Sequence, residues 1–89
     1  MRKEWKFNVN NHAIRIANSW FGGIKLYIDG DFRDKDTSFF VFAKTVLLSA
    51  RLHDGGILEI SVESGLLSVE IDAHLVLNSG RKNIYSSDK

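Results

Sequence analysis

The stretch from Ile57 to Leu77 constrains the fold more than any other part of the chain. Apolar residues alternate with polar ones on both sides of Ser64-Gly65, in the segments ILEISVE and LLSVEIDAHLVL. Successive side chains of a β-strand lie on opposite faces, so this period of two indicates a pair of strands. A two-residue Ser-Gly loop places every apolar residue of the hairpin on one face. That register pairs Val62 with Leu67, Ile60 with Val69 and Leu58 with Ile71.

The second strand of this hairpin, at 66–77, is longer than the usual strand of about 5–6 residues. We therefore expect it to bend or bulge near Ala73-His74 so that it can take part in two sheets. A turn at Asn78-Ser79-Gly80 and a short last strand from Arg81 to Tyr85 follow.

An earlier hairpin is predicted around Asn10-Asn11. The preceding residues alternate from 4 to 9, and asparagine tolerates the left-handed conformation that a type I′ turn requires. A two-residue loop gives strands at 4–9 and 12–17. It pairs Phe7 with Ile14 and Trp5 with Ile16.

A third strand carries Ile24, Leu26 and Ile28 and leads into a predicted turn at Asp29-Gly30. The segment DFRDKD follows, with one apolar residue among five charged ones. It indicates a short edge strand or an extended loop. Charges at such a position protect a sheet edge from unwanted pairing.

Residues 38–52 fit two patterns. Alternation and aromatic content favour strands, whereas Phe39, Phe42, Ala43, Val46 and Ala50 also fit a helical stripe. A three-residue loop at 54–56 supports strands, because it keeps both faces consistent with the next strand. It pairs Leu52 with Leu58, Ala50 with Ile60 and Leu48 with Val62, and it places Arg51 opposite Glu59.

The predicted fold is all-β, a single antiparallel β-sandwich or small barrel of about seven strands. The alternative is an α+β fold with one helix near 38–52. A chain of 89 residues suits one domain, which we place at 1–85, with a frayed tail at 86–89.

Composition excludes several classes of function. The 12 basic and 11 acidic residues leave a net charge of +1, which argues against nucleic-acid binding. No segment has the apolar length of a membrane span, and no secretion signal is recognisable, so a cytoplasmic protein is expected. The chain has no cysteine, and no metal or cofactor motif is present.

Two aromatic groups are candidate partner-binding residues. Trp20 and Phe21 stand at a predicted loop tip, where they either anchor a partner or cover the open end of the core. Phe39, Phe40 and Phe42 lie on both faces of one predicted strand. A thin domain cannot easily bury both faces, so this edge is a candidate homodimer interface.

Carboxylates form a predicted acidic face on the central hairpin. The register places Glu59 opposite Glu70, near Asp72, and puts Arg51 on the far side of Glu59. A row Arg51–Glu59–Glu70 is favoured as a solvated ion-pair face. The alternative is a divalent-cation or small-ligand site built on the two glutamates.

No nucleophile, base and oxyanion-binding group are recognisable together, so an enzyme is not expected. The sequence therefore predicts a non-enzymatic protein-interaction module, with a partner protein or a second copy of itself as its target. The alternative is a β-barrel that binds a small ligand or a divalent metal through the acidic face.

One group of residues resembles a known family. The pattern of His12, Ile14 and Ile16, then Gly23, then Tyr27-Ile28-Asp29-Gly30 is similar to the opening of the Fas apoptosis inhibitory molecule family. The resemblance covers about a dozen positions in the first third, with one residue fewer between His12 and Tyr27. It implies an antiparallel β-sandwich that acts through protein contacts without an active site.

Overall fold

A computed structural model describes residues 2–19, 23–37, 45–52, 55–64 and 69–87. Within these ranges the chain is all-β and antiparallel, as predicted, and contains strands and turns without a helix. No described helix offers the length and apolar character needed to cross a membrane. The chain divides into two compact units, Met1–Phe39 and Phe40–Lys89. Each unit holds one four-stranded antiparallel sheet, the element from which β-sandwiches are built.

The first sheet has the order β1-β2-β3-β4 and the second the order β5-β6-β7-β8. Every pair of neighbours is antiparallel and consecutive in sequence. The strands are β1 Arg2–Val9, β2 His12–Ser19, β3 Gly23–Ile28, β4 Asp31–Asp36, β5 Thr45–Arg51, β6 Ile57–Ser64, β7 Val69–Leu77 and β8 Gly80–Ser86.

The first hairpin has the predicted turn and register. Asn10 and Asn11 both have positive φ, at 48° and 68°, as a type I′ turn requires. Phe7 lies opposite Ile14 and Trp5 opposite Ile16. This turn matches the right-handed twist of the strands, so the two asparagines and the alternation specify the same pairing.

The turn between β3 and β4, at Asp29-Gly30, also has positive φ at both residues, 52° and 86°. Asp29 ties this turn to β2. Its backbone N–H donates to the carbonyl of Ala13 at 2.8 Å, and its carboxylate accepts the N–H of Ala13 at 2.8 Å. The same carboxylate lies 2.7 Å from Nδ1 of His12. Asp29 therefore fixes both the turn and the neighbouring strand.

The charged segment DFRDKD forms a true edge strand, β4, which settles the alternative left open by the sequence. A bulge interrupts its pairing with β3, with Arg33 as the extra residue. Asp34 and Asp36 lie opposite Leu26 and Ile24, so carboxylates border the apolar face at this edge. Bulges and inward charges are two devices by which proteins protect sheet edges.

Each sheet buries one apolar face. In the first sheet Ile16 and Leu26 have no exposed area, and in the second Leu58 and Ile60 have none. Burying a side chain of this size stabilises a fold by roughly 1.5–3 kcal/mol. The other buried apolar residues are Trp5, Val9, Ile14, Ile24, Ile28, Leu48, Leu52, Val62, Ile71, Ala73 and Leu75.

The predicted register of the β6–β7 hairpin is wrong by four residues. Val62 lies opposite Ile71 rather than Leu67, and the pairing ends at Ser64 opposite Val69. The two-residue Ser-Gly loop is therefore replaced by a connection of residues 65–68, which lie outside the described residues. An even shift leaves every apolar residue on its predicted face, so alternation alone cannot detect the error.

The predicted β5–β6 register is wrong by two residues. This is again an even shift, which alternation cannot detect. Leu48 lies opposite Ile60 and Ala50 opposite Leu58, and Arg51 faces Ile57 rather than Glu59. The N–H of Leu52 donates to the carbonyl of Gly56 at 3.0 Å, so the three residues between this pair are 53–55 rather than the predicted 54–56. The described residues 45–51 form a strand, and the rest of the proposed helix, 38–44, lies outside the described residues.

The last hairpin has a bulge at the predicted place along β7, but the extra residue belongs to β8. The pairing of β7 with β8 shifts between Ala73 and His74, where Ile84 is the extra residue of β8. The expectation that β7 serves two sheets is wrong, because it pairs with β6 and β8 in one sheet. The bulge turns the end of β8 without moving β7 into a second sheet.

Residues predicted to belong to a frayed tail are hydrogen-bonded. Ser86 is the last residue of β8. Ser87 donates its N–H to the carbonyl of Ile71 at 2.9 Å, and its hydroxyl accepts the N–H of Ile71 at 2.8 Å. The same hydroxyl donates to the carboxylate of Glu70 at 2.6 Å. Ser87 thus fastens the end of β8 to β7.

Replacing Ser87 with alanine is expected to destabilise the protein by about 1–2 kcal/mol, because two part-buried hydrogen bonds of its hydroxyl are lost, one of them to a carboxylate. Urea denaturation followed by circular dichroism measures the change. Ser79→Ala, at the exposed turn before β8, is the control and is expected to stay within about 0.5 kcal/mol. Equal effects of the two substitutions would contradict the role assigned to Ser87.

Gly23, at the start of β3, is a second test of local geometry. Its φ is +76°, and a Cβ there would overlap the carbonyl oxygen of Asp36 and approach Cα of Thr37 to 2.9 Å. Gly30 has a similar φ of +86° but has no atom within 4 Å of the same position. The two glycines share backbone strain and differ in available space.

Gly30→Ala is expected to cost about 1–2 kcal/mol, the penalty for a side chain in the left-handed region. Gly23→Ala adds the clash with backbone and is expected to cost about 1–3 kcal/mol more. Thermal and urea denaturation of both variants compare the two costs. If Gly23→Ala were no worse than Gly30→Ala, the close approach of β3 and β4 would be incorrect.

Candidate functional site

The aromatic residues proposed from the sequence lie outside the described residues. These are Trp20, Phe21, Phe39, Phe40 and Phe42. The choice between anchor and core plug for the first two, and the dimer edge at the last three, stay predictions.

The predicted row Arg51–Glu59–Glu70 does not form. Glu59 lies opposite His74, and its carboxylate is 3.3 Å from Nη2 of Arg81 on β8. Glu70 lies opposite Glu63, two cross-strand rows away. The observed register differs from the predicted one by an even number of residues, so the two glutamates lie on the same face but in different rows. Glu59 and Glu70 therefore do not build the shared cation or ligand site considered from the sequence.

Asp72 is buried rather than part of an exposed acidic face. Its residue exposure is 7%, and it lies opposite Ser61, which is 4% exposed. His74, in the next row, has a buried Nδ1 with no hydrogen-bond partner among the described residues. The described residues contain no group of three or more His, Cys, Asp or Glu side chains arranged to hold a metal ion. Asp72, Ser61 and Nδ1 of His74 are therefore buried polar groups of the second sheet.

Strand β5 is a candidate contact edge. It is the first strand of the second sheet and pairs with β6, and no described strand pairs with its other side. Val46, near its start, is 42% exposed, and Ile57, at the start of β6, is 38% exposed. Exposed apolar side chains along a sheet edge are typical of surfaces that pair with another strand.

The polar face of the first sheet carries a second candidate surface, which sequence reasoning missed. We call it the basic face. Register places one row across all four strands and a lysine pair in the neighbouring row. The basic face consists of Lys6, Arg15, Tyr27, Phe32, Lys25 and Lys35.

Arg15, Tyr27 and Phe32 are in contact along the first row. The guanidinium carbon of Arg15 lies 4.0 Å from the ring centroid of Tyr27, a cation–π distance. The rings of Tyr27 and Phe32 meet edge to face, with centroids 5.8 Å apart and an interplanar angle of 64°. Phe32 is nevertheless 57% exposed, more than any other large apolar residue that the structure describes.

Glu4 is the acidic member of this part of the sheet. Its carboxylate lies 3.0 Å from Nη1 of Arg15 and 3.5 Å from Nζ of Lys6. The hydrogen bond from Arg15 lowers the pKa of Glu4 below its ordinary value of 4.5, with Lys6 adding to the effect, while desolvation opposes it. Glu4 thus orients Arg15 over Tyr27.

Lys25 and Lys35 lie directly opposite each other. Like charges at such positions destabilise a sheet. Among the described residues neither lysine has an ion pair with a carboxylate. An open cavity of about 380 Å³ adjoins the other end of the basic face, lined by Lys6, Arg15 and the small side chain of Ala13.

Comparison with known proteins returns no match among family models, curated proteins or solved structures. The function of the chain must therefore be inferred from its own residues. His12, Tyr27 and Asp29, which carry the resemblance seen in the sequence, make contacts that hold the first sheet together. The family relationship stays a prediction.

The lowered pKa of Glu4 predicts a pH dependence of stability. A carboxylate whose pKa falls on folding stabilises the protein above its ordinary pKa, and this stabilisation is lost as pH falls through the folded value. The difference in unfolding free energy between wild type and Glu4→Gln should therefore be present at neutral pH. It should shrink as pH falls below 4.5.

Urea denaturation across this pH range measures the difference. The control is the same substitution in an Arg15→Gln background, where the main cause of the shift is absent and the pH dependence of the difference should be reduced. An unchanged pH dependence in that background would exclude Arg15 as the cause.

Proposed function

We propose that this protein is a non-enzymatic interaction module that self-associates through the edge strand β5. A cytoplasmic location, expected from the sequence, is part of the proposal. The observation that carries it is the exposure of Val46, 42%, on an edge strand with little charge. An edge of this kind is a template for pairing with another chain.

The four edge strands of the two sheets differ in charge. Strand β4 has five charged residues among its six, and β1 and β8 carry lysine and arginine within their first three positions. Strand β5, TVLLSAR, has one charged residue, Arg51, at its last position. Charges protect three edges from pairing with other chains, whereas within the described residues β5 carries only the charge of Arg51.

Two copies can pair through β5 about a two-fold axis. Such an interface is isologous, and two identical edge strands related by the axis run antiparallel. The pairing would join two four-stranded sheets into one sheet of eight strands and place Val46 beside the end of the partner's β5. The segment with Phe39, Phe40 and Phe42 immediately precedes β5 in sequence and would supply further apolar area. The bulge at Leu47 limits regular pairing to the later part of β5.

Light scattering or sedimentation across a concentration series tests the proposal. We expect wild type to reach the mass of a dimer as concentration rises. Val46→Lys should raise the dimer dissociation constant at least tenfold, because a charge at the edge must then be buried against the partner. A wild type that stays monomeric at every concentration would refute self-association.

Leu77→Lys is the matched control. Leu77 has the same exposure as Val46, 42%, but lies at the end of the central strand β7. The same substitution there should leave the dimer unchanged. If both variants weakened association equally, β5 would not be the interface. Circular dichroism of each variant shows whether the fold is retained.

A further inference from the structure

We infer that the basic face binds single-stranded nucleic acid, with a base stacked on Phe32 and phosphates held by Lys25 and Lys35. This activity is separate from self-association through β5, since it uses the other sheet. Proteins that bind single strands combine a cationic surface along the backbone with exposed aromatic rings on which bases stack. The basic face supplies both within neighbouring rows.

The charge argument from composition does not apply to this face. A net charge of +1 describes the whole chain, but strand alternation and the β4 bulge separate the charges in space. Asp34 and Asp36 are paired with Leu26 and Ile24, on the apolar side, while Lys35 is paired with Lys25 on the polar side. The basic face therefore carries clustered positive charge, although the net charge of the whole chain is only +1.

The lysine pair is the strongest sign of an anionic partner. Two opposed cations repel each other, and neither forms an ion pair with a carboxylate of the described residues. A phosphate bound by both ammonium groups would remove this repulsion and gain two charge-assisted hydrogen bonds. Glu4, by comparison, is engaged by Arg15 and Lys6 at the other end of the face. The positive charge that no described carboxylate neutralises is thus that of Lys25 and Lys35, in the row next to Tyr27 and Phe32.

Phe32 distinguishes a nucleic acid from an acidic protein as the partner. It stands in the row next to the lysine pair, about 6.6 Å away along the strand. Tyr27 supports its edge, and Arg15 already covers Tyr27. Phe32 is therefore a fixed, exposed ring placed one row from a phosphate-binding pair. An acidic peptide would use the lysines but has no need of an exposed ring.

Fluorescence anisotropy with a labelled thymidine oligonucleotide of about ten nucleotides tests the inference. We expect binding by wild type at low salt that weakens as salt is raised. Lys35→Glu should weaken binding and reduce the slope of log affinity against log salt by about 0.7, the value for one phosphate contact of a single strand. Phe32→Ala should raise the dissociation constant about tenfold.

Two substitutions outside the basic face are the controls. Lys82→Glu makes the same charge change at an exposed position of β8, and Ile57→Ala removes an exposed apolar side chain from the second sheet. Both should bind the oligonucleotide like wild type. Equal losses in Lys35→Glu and Lys82→Glu would show a general charge effect and overturn the site.

Two further probes separate stacking from simple attraction of anions. A duplex of the same length hides its base faces and should bind more weakly than the single strand. Polyglutamate should bind, if at all, without any effect of Phe32→Ala. Absence of oligonucleotide binding at low salt, or binding indifferent to Phe32, would overturn the inference. Because Val46→Lys should bind the oligonucleotide normally, failure of self-association and failure of this site can be told apart.

Discussion

The burial of one face of each sheet is the constraint on which the rest of the structure depends. Side chains alternate between faces, so two registers that both keep the apolar residues on one face can differ only by an even number of residues. We call this condition the parity of the register. Ile16 and Leu26 in the first sheet, and Leu58 and Ile60 in the second, show how complete this burial is. Parity decides which residues are left on the polar faces, and only those residues are available for binding.

Turn geometry supplies what parity leaves undetermined. Asn10-Asn11 and Asp29-Gly30 accept positive φ, and each permits a two-residue connection that fixes the register of the residues next to the turn. The connections after β5 and after β6 have more than two residues, and registers two or four residues apart would bury the same apolar side chains. This is why the sequence predicts the register of the β1–β2 hairpin, whereas it predicts only the faces of the second sheet.

The candidate sites also differ in whether a turn fixes the register on which they depend. The predicted pairing of Glu59 with Glu70 depended on the exact β6–β7 register, and it is absent because that register differs from the predicted one by four residues. The pairing of Lys6 with Arg15, in contrast, follows from the asparagine turn. The position of Lys35 opposite Lys25 depends on the bulge at Arg33, for which the segment DFRDKD gives no local signal. Without the bulge, Asp34 rather than Lys35 would lie opposite Lys25, and Lys35 would lie opposite Ile24 on the apolar face.

A bulge in an edge strand therefore does two things in this fold. It interrupts the pattern that another chain could pair with, and it sorts the charges of β4 so that carboxylates border the apolar face and Lys35 joins the polar one. Edge protection alone would be satisfied by either arrangement of the charges. The arrangement present also leaves two opposed lysines beside the exposed ring of Phe32, a cost to the isolated sheet that an anionic ligand would remove. The polar face of the first sheet is thus better explained as a binding surface than as solvated structure.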